Sequence, residues 1–170
     1  ASQEKLYWER GARRRTYFIR AIIVGNSPYD QFRSGNTNAL TASQRRGFGT
    51  FKMNCAGCHS GANLSDNKFY NVGLYTQGQN NGDTGRMAIS KKKSDFMSFK
   101  TPGLRNLITK QNTLGHNADK TLDEIIDNYS DGGTHRAEFG NIAPTIHALD
   151  LSPSEKADLK EFLLNGLLTN

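Results

Sequence analysis

"MNCAGCHSG", residues 53–61, contains both cysteines of the chain, Cys55 and Cys58, with His59 directly after the second. Cysteines at this spacing followed by a histidine match the signature for covalent haem attachment. Two thiols about one turn apart reach the two vinyl groups of one porphyrin and form thioethers. The next residue then projects under the iron, where its imidazole becomes the proximal ligand. Other chemistries fit less well. A four-coordinate zinc site needs a second ligand pair, and the chain has no further cysteine. A thioredoxin-like dithiol follows a strand in an α/β pattern, and no such pattern is visible. A disulfide across two residues would be short and strained. One covalent haem c is the expected cofactor, held by Cys55 and Cys58 and ligated by His59.

The surroundings support a large apolar cofactor. Only 35% of the 170 residues are apolar, glycines number 17 and the mean hydropathy is −0.67. That is a thin core for a single domain of this length, and a porphyrin packed at its centre would thicken it. No run of about 18 apolar residues occurs, so no membrane-spanning segment is expected. The formal charge of +6 favours acidic partners. Nucleic acid is not expected: there is no recognition helix, no aromatic-plus-basic strand pattern and no zinc-finger spacing. The chain begins Ala-Ser-Gln without a charged-then-apolar leader. A processed, exported protein has such a start, and a trimmed chain would too. Haem c is attached outside the cytoplasm, so a periplasmic or otherwise exported location is expected.

Helical signals dominate outward from the motif. Apolar spacing predicts a helix over residues 3–24, with Arg13, Arg14 and Arg15 on a solvated face. Residues 1–24 are read as an N-terminal helix and 25–170 as a single haem domain. The stretch 25–38 reads as a turn-rich connector. Thr41 or Ser43 caps the next helix, which runs into the cysteine motif. Residues 60–103 are mostly loop and include the run Lys91–Lys93. A loop this long in a compact domain is usually functional or wrapped around something. Thr121 with Glu124 forms a capping box, and Gly132 and Gly133 end that helix. Ser152, Pro153 and Glu155 open a final helix whose apolar face is Leu159, Phe162, Leu163 and Leu167. No useful period-two alternation appears, so the class is all-α with long loops.

From about residue 20 onward the chain resembles the C-terminal haem domain of the bacterial dihaem cytochrome c peroxidase / MauG family. The resemblance rests on "CAGCHSGANLSDNKFYNVGL" (55–74), "DTGR" (83–86), "FKTPGLRN" (99–106), "TLDEIIDNYSDGG" (121–133) and the closing helix, in that order. It implies a class I cytochrome c-like haem domain. It also implies that the sixth iron ligand comes from the helix after Thr121, where Tyr129 stands. Leu122, Ile125, Ile126 and Tyr129 share one helical face. By pattern alone a core tyrosine with a bonded hydroxyl is the simpler reading; the resemblance favours ligation. Met87, Met97, His116, His135 and His147 are the rival ligands. Arg86 and Arg105 are expected to meet the haem propionates, because a guanidinium suits a half-buried carboxylate. Phe99, Pro102 and Leu104 are expected to wall the porphyrin, along with Phe69, Tyr70 and Leu74. The family places a calcium ion between two domains, but Lys110 and Asn112 disfavour it here.

The resemblance to one half of a two-haem unit implies a missing partner, another haem-bearing subunit or redox protein. The expected function is electron transfer within a peroxidase- or MauG-like oxidase. No acid–base group stands out beside the haem, so this chain is not expected to reduce peroxide alone. An independent single-haem carrier and a ligand-sensing haem protein are the alternatives.

Overall fold

The computed structural model describes residues 25–169, apart from 77, 80, 81, 116, 139 and 140. The expected helix over 3–24 and the rival ligand His116 lie outside the described residues. Five α-helices follow in order: α1 (Pro28–Arg33), α2 (Ala42–Asn54), α3 (Met87–Ser90), α4 (Leu122–Ser130) and α5 (Pro153–Glu161). The last runs on into a wide π turn, Phe162–Gly166. Short 3₁₀ turns occupy Lys93–Asp95, Leu107–Thr109 and Arg136–Glu138.

Local chemistry sets most helix starts. In α2, α4 and α5, Thr41, Thr121 and Ser152 accept a hydrogen bond from the backbone N–H three residues on, and Gln44, Glu124 and Glu155 return it. Each box satisfies donors that a helix N-terminus would otherwise leave orphaned. The expected stop after α4 is present too: Gly132 has a left-handed backbone, φ 77°, which a side chain would resist.

Two elements differ from expectation. The connector over 25–38 contains α1. Ser27 caps it, Pro28 is its first residue, and the Asp30 carboxylate accepts from the Ser27 N–H at 3.0 Å. The loop region 60–103 carries a small antiparallel ribbon, β1 (Phe69–Tyr70) with β2 (Phe99–Lys100), in the register Phe69↔Lys100 and Tyr70↔Phe99. Two-residue strands are too short to show alternation, so the sequence does not announce them. Among the described residues the regular structure is mostly helical, with a few strand residues.

The main core sits where α2 crosses α5. Phe162 is 0% exposed and packs against the rings of Tyr29, Phe48 and Phe51, with centroids 5.4–5.7 Å away. Tilted and edge-on contacts of this kind add to simple burial. Leu40, Leu122, Ile126, Leu159 and Leu167 complete the cluster. Gly47 lies at the crossing itself. The Asp158 carboxylate ties the two helices, accepting from Arg46 Nε at 2.6 Å and from Ser43 Oγ at 2.5 Å. A second, smaller cluster holds Tyr75 and Met97 with Leu74, Phe96 and Ile142. The irregular loops are held to it by buried amides. Asn128 Nδ2 donates to Val72 O at 3.1 Å and its Oδ1 accepts from the Thr134 N–H at 2.8 Å, in place of secondary-structure bonds.

Candidate haem-binding site

The motif continues directly from the C-terminal end of α2. The Cys55 N–H donates to Phe51 O at 2.8 Å, and the His59 N–H donates to Cys55 O at 2.9 Å. Cys55, Cys58 and His59 therefore sit on one helical turn, which sets the relation of the two thiols and the imidazole. Both thiols are free and half-buried. Burial, with Cys58 alongside, pushes the Cys55 thiol up to about 11. A thiol held protonated is a poor match for a thiolate metal site. Among the described residues no group of three or more His, Cys, Asp or Glu could hold a metal ion.

The chain then folds back over the motif. The Asp66 N–H donates to Cys58 O at 2.8 Å, and Leu64 takes a left-handed backbone, φ 53°. This turn brings Leu64 O to 3.0 Å from His59 Nδ1, with the Pro102 carbonyl as a second backbone partner. A carbonyl only accepts, so Nδ1 carries the proton and Nε2 keeps its lone pair. Burial lowers the His59 pKa, which keeps the ring neutral as a metal ligand must be. Pro102, expected along the porphyrin wall, thus also contributes its backbone carbonyl.

Tyr129 is half-buried on α4. Burial pushes its hydroxyl pKa up, and Cys55 and Cys58 add to the shift, so the phenol lies within electrostatic range of both thiols. Leu122 and Ile126 on the same helix are buried in the main core, which fixes the helix rotation that turns Tyr129 toward the motif. On the β1–β2 ribbon, directly opposed residues share a face. Tyr70 and Phe99 form the half-buried face, and Phe69 and Lys100 the exposed one. The Tyr70 hydroxyl donates to Asp66 Oδ2 at 2.7 Å and feels the Cys58 thiol as well.

The remaining expected residues have partners of their own within the chain. Leu104 packs against the main core with Cys55 and Ala56. Arg86 pairs with Asp95 at 3.1 Å and lies over the Phe69 ring at 4.3 Å, on the outer side of the ribbon. Arg105 makes a bidentate pair with Asp30, both contacts 2.7 Å, and donates from Nε to Ala62 O at 2.9 Å. It clamps the turn behind His59 to α1. Of the rival ligands, Met97 is buried beside Tyr75, and His135 pairs with Glu138 at 3.1 Å. His147 Nδ1 lies 3.1 Å from Thr145 O, and Met87 opens α3. Asp66 and the Leu64 carbonyl went unread in the sequence. A backbone carbonyl has no sequence signature, but "SDNK", an acid two residues before a bonded N–H, marks the Asp66 turn.

The Arg105–Asp30 clamp has a measurable acid signature. The guanidinium, aided by Ser27, draws the Asp30 carboxyl down to about 2 from an ordinary 3.8. A lowered folded-state pKa gives stability that is full above the ordinary value and is lost as pH falls through the lowered one. Arg105→Gln is therefore expected to lower the melting temperature at neutral pH. It should also flatten the wild-type loss of stability between about pH 4 and 2. Parallel thermal melts from pH 7 to 2 check this; equal slopes for both proteins would refute the clamp.

These residues fit a covalently held haem: two free thiols on one turn, an imidazole with Nε2 available, and a phenol within electrostatic range of both thiols. The family model described as "Cytochrome c" matches residues 44–166. The chain is 30% identical over 148 residues to the methylamine utilization protein MauG of Methylorubrum extorquens, covering 86% of this chain and 40% of that protein. It is 31% identical to the cytochrome-c peroxidase IdrP2 of Denitromonas iodatirespirans, with 86% and 45% covered. The crystal structure of a MauG-like protein associated with microbial copper homeostasis superimposes with a TM-score of 0.74 at 29% identity, covering 85% of this chain and 48% of that one. The diheme peroxidase BthA of Burkholderia thailandensis shares the fold, with a TM-score of 0.64 at 19% identity and coverage of 84% and 46%. The chain thus spans less than half the length of each of these relatives. With the attachment motif built on one turn and the family model covering it, this chain belongs to the cytochrome c family, as a haem c protein related to MauG and the cytochrome c peroxidases.

Proposed function

We propose that this chain is the electron-transfer haem c part of a MauG- or peroxidase-like assembly, exchanging electrons with a partner haem in an exported compartment. The class I cytochrome c arrangement with one covalent haem belongs to the same reading. The observation that carries it is the attachment motif held on one turn, with the His59 N–H donating to Cys55 O at 2.9 Å and His59 Nδ1 lying 3.0 Å from Leu64 O, while Tyr129 stands on α4 within electrostatic range of both thiols.

When bound, the haem supplies an iron that takes up and releases one electron. Cys55 and Cys58 would hold it by thioethers, and His59 Nε2 would ligate its iron while the Leu64 and Pro102 carbonyls keep the imidazole oriented. Tyr129 would offer its phenol oxygen as a second ligand. Burial raises the pKa of that phenol, so it would stay protonated unless the iron took the proton's place. An anionic oxygen ligand would favour ferric iron and a low potential, which would suit relay and obstruct peroxide.

The test uses the haem-loaded chain. Mass spectrometry should give one covalent haem per chain, and potentiometry a reversible one-electron couple. Hydrogen peroxide should not be consumed above the rate of a matched haem peptide. Sustained peroxide turnover by the wild-type chain alone would overturn the relay reading.

A further inference from the structure

We propose that the outer face of the β1–β2 ribbon, with α3 and the lysine run behind it, is the docking surface for an acidic redox protein. The proposal rests on the electron-transfer reading above and adds where the electron enters and what chemistry receives the donor.

The ribbon is two-sided. Its inner residues, Tyr70 and Phe99, are half-buried, and the Tyr70 hydroxyl donates to Asp66, whose N–H donates to Cys58 O at 2.8 Å. Its outer residues, Phe69 and Lys100, are exposed. A partner on the outer face therefore meets a ribbon whose inner side is bonded, through Asp66, to the turn that carries Cys58. Apolar surface is present there too. Ile89 on α3 is 86% exposed and Phe69 is 38% exposed, two of the three large apolar side chains exposed among the described residues. α3 and the ribbon are joined: the Arg86 guanidinium stacks 4.3 Å over Phe69, and the Ile89 N–H donates to Arg86 O at 3.0 Å.

Charge identifies the occupant. Residues 66–100 carry six lysines and arginines against three carboxylates. Each of those carboxylates has a local partner. Asp66 accepts from Tyr70, Asp83 from the Gly85 N–H, and Asp95 pairs with Arg86. Lys91, Lys92, Lys93 and Lys100 are exposed. Such a crowd of cations repels itself and is relieved by an acidic surface, which it also steers in. A lipid surface fits less well. Interfacial membrane binding needs a long amphipathic helix, and α3 has four residues.

The test compares two small reductants by stopped-flow on the full, haem-loaded chain. In each case one electron passes from the complex to the ferric haem iron, and no bond forms or breaks. The anionic iron(II)–EDTA complex should reduce the wild type quickly, at a rate that falls with salt. Lys91→Glu/Lys92→Glu/Lys93→Glu should slow it by about tenfold or more and reverse the salt trend, while cationic hexaammineruthenium(II) is not slowed. Added polyglutamate should protect the wild type from iron(II)–EDTA and leave the triple variant unprotected. Lys156→Glu/Lys160→Glu on α5 serves as control and should change the rate less than about twofold. Equal slowing by both variants, or none by the triple variant, would overturn the proposal. So would co-sedimentation with phosphatidylglycerol vesicles that the triple variant loses, which would give the face to lipid. If dithionite gives no reversible one-electron reduction of the wild-type haem, the relay reading itself fails, a result distinct from a misplaced surface.

Discussion

Replacing Tyr129 with phenylalanine is expected to change the ferric absorption and electron paramagnetic spectra of the haem-loaded chain. Its midpoint potential should rise by on the order of 100 mV. The reasoning is local. The ring stays on α4, where Leu122 and Ile126 fix the helix, and only the hydroxyl within electrostatic range of the two thiols is lost. Removing an anionic oxygen withdraws the ligand that favours ferric iron, so the reduced state gains. The opened sixth position should also admit small ligands, so cyanide should bind the variant faster than the wild type. Stability should fall by less than about 1 kcal/mol, because a single hydroxyl is removed. A ferric spectrum identical to the wild type would remove Tyr129 from the iron and return it to the role of a core tyrosine.

The second large effect is structural. Gly47→Ala should destabilise the fold by roughly 3 kcal/mol, with a melting temperature about 10 °C lower. A Cβ at this position would lie 2.0 Å from Asp158 O and 2.9 Å from Phe162 Cβ. The first neighbour is the backbone of α5, which cannot rotate aside, so the helices must separate. That loosens the packing of Phe51 and Phe162 and moves the end of α2, from which the motif projects. Gly49→Ala is the internal comparison. Nothing lies within 4 Å of its added methyl, so it should stabilise α2 by about 0.5–1 kcal/mol through helix propensity alone. Circular dichroism melts of the two variants should move in opposite directions. A neutral Gly47→Ala would mean that α2 and α5 are not in contact there.

How legible these features are in the sequence depends on the range of the interaction. Cys55, Cys58 and His59 are adjacent, and their geometry is that of one turn. The starts of α2, α4 and α5 are written within four residues, and the structure keeps them. The start of α1 is written the same way in "SPYD" (27–30), the counterpart of "SPSE" (152–155), but it was obscured by the turn-forming residues around it. Arg105 illustrates the opposite case. Its carboxylate partner within the chain is Asp30, 75 positions away in sequence, and no local pattern points there. Arg86 is similar: its ring and acid partners, Phe69 and Asp95, come from separate turns. The tie between α2 and α5 also escapes a pattern search, because at Gly47 the decisive group is a missing side chain. Tyr129 lies between these extremes. Periodicity places it on an inward face, but only the fold brings the motif to that face.

The four capping boxes have a consequence for the order of assembly. Ser27, Thr41, Thr121 and Ser152 each fix a helix start using a partner three residues away. Contacts of such short range form early and do not wait for chain closure. α2 therefore has its N-terminal boundary defined before the distant parts of the chain arrive, and the thiols are presented at its free end. The segments carrying Tyr70 and Tyr129 close over them later, through contacts spanning long stretches of chain. The turn that carries the thiols is thus set by short-range bonds, and the side chains around it by long-range ones.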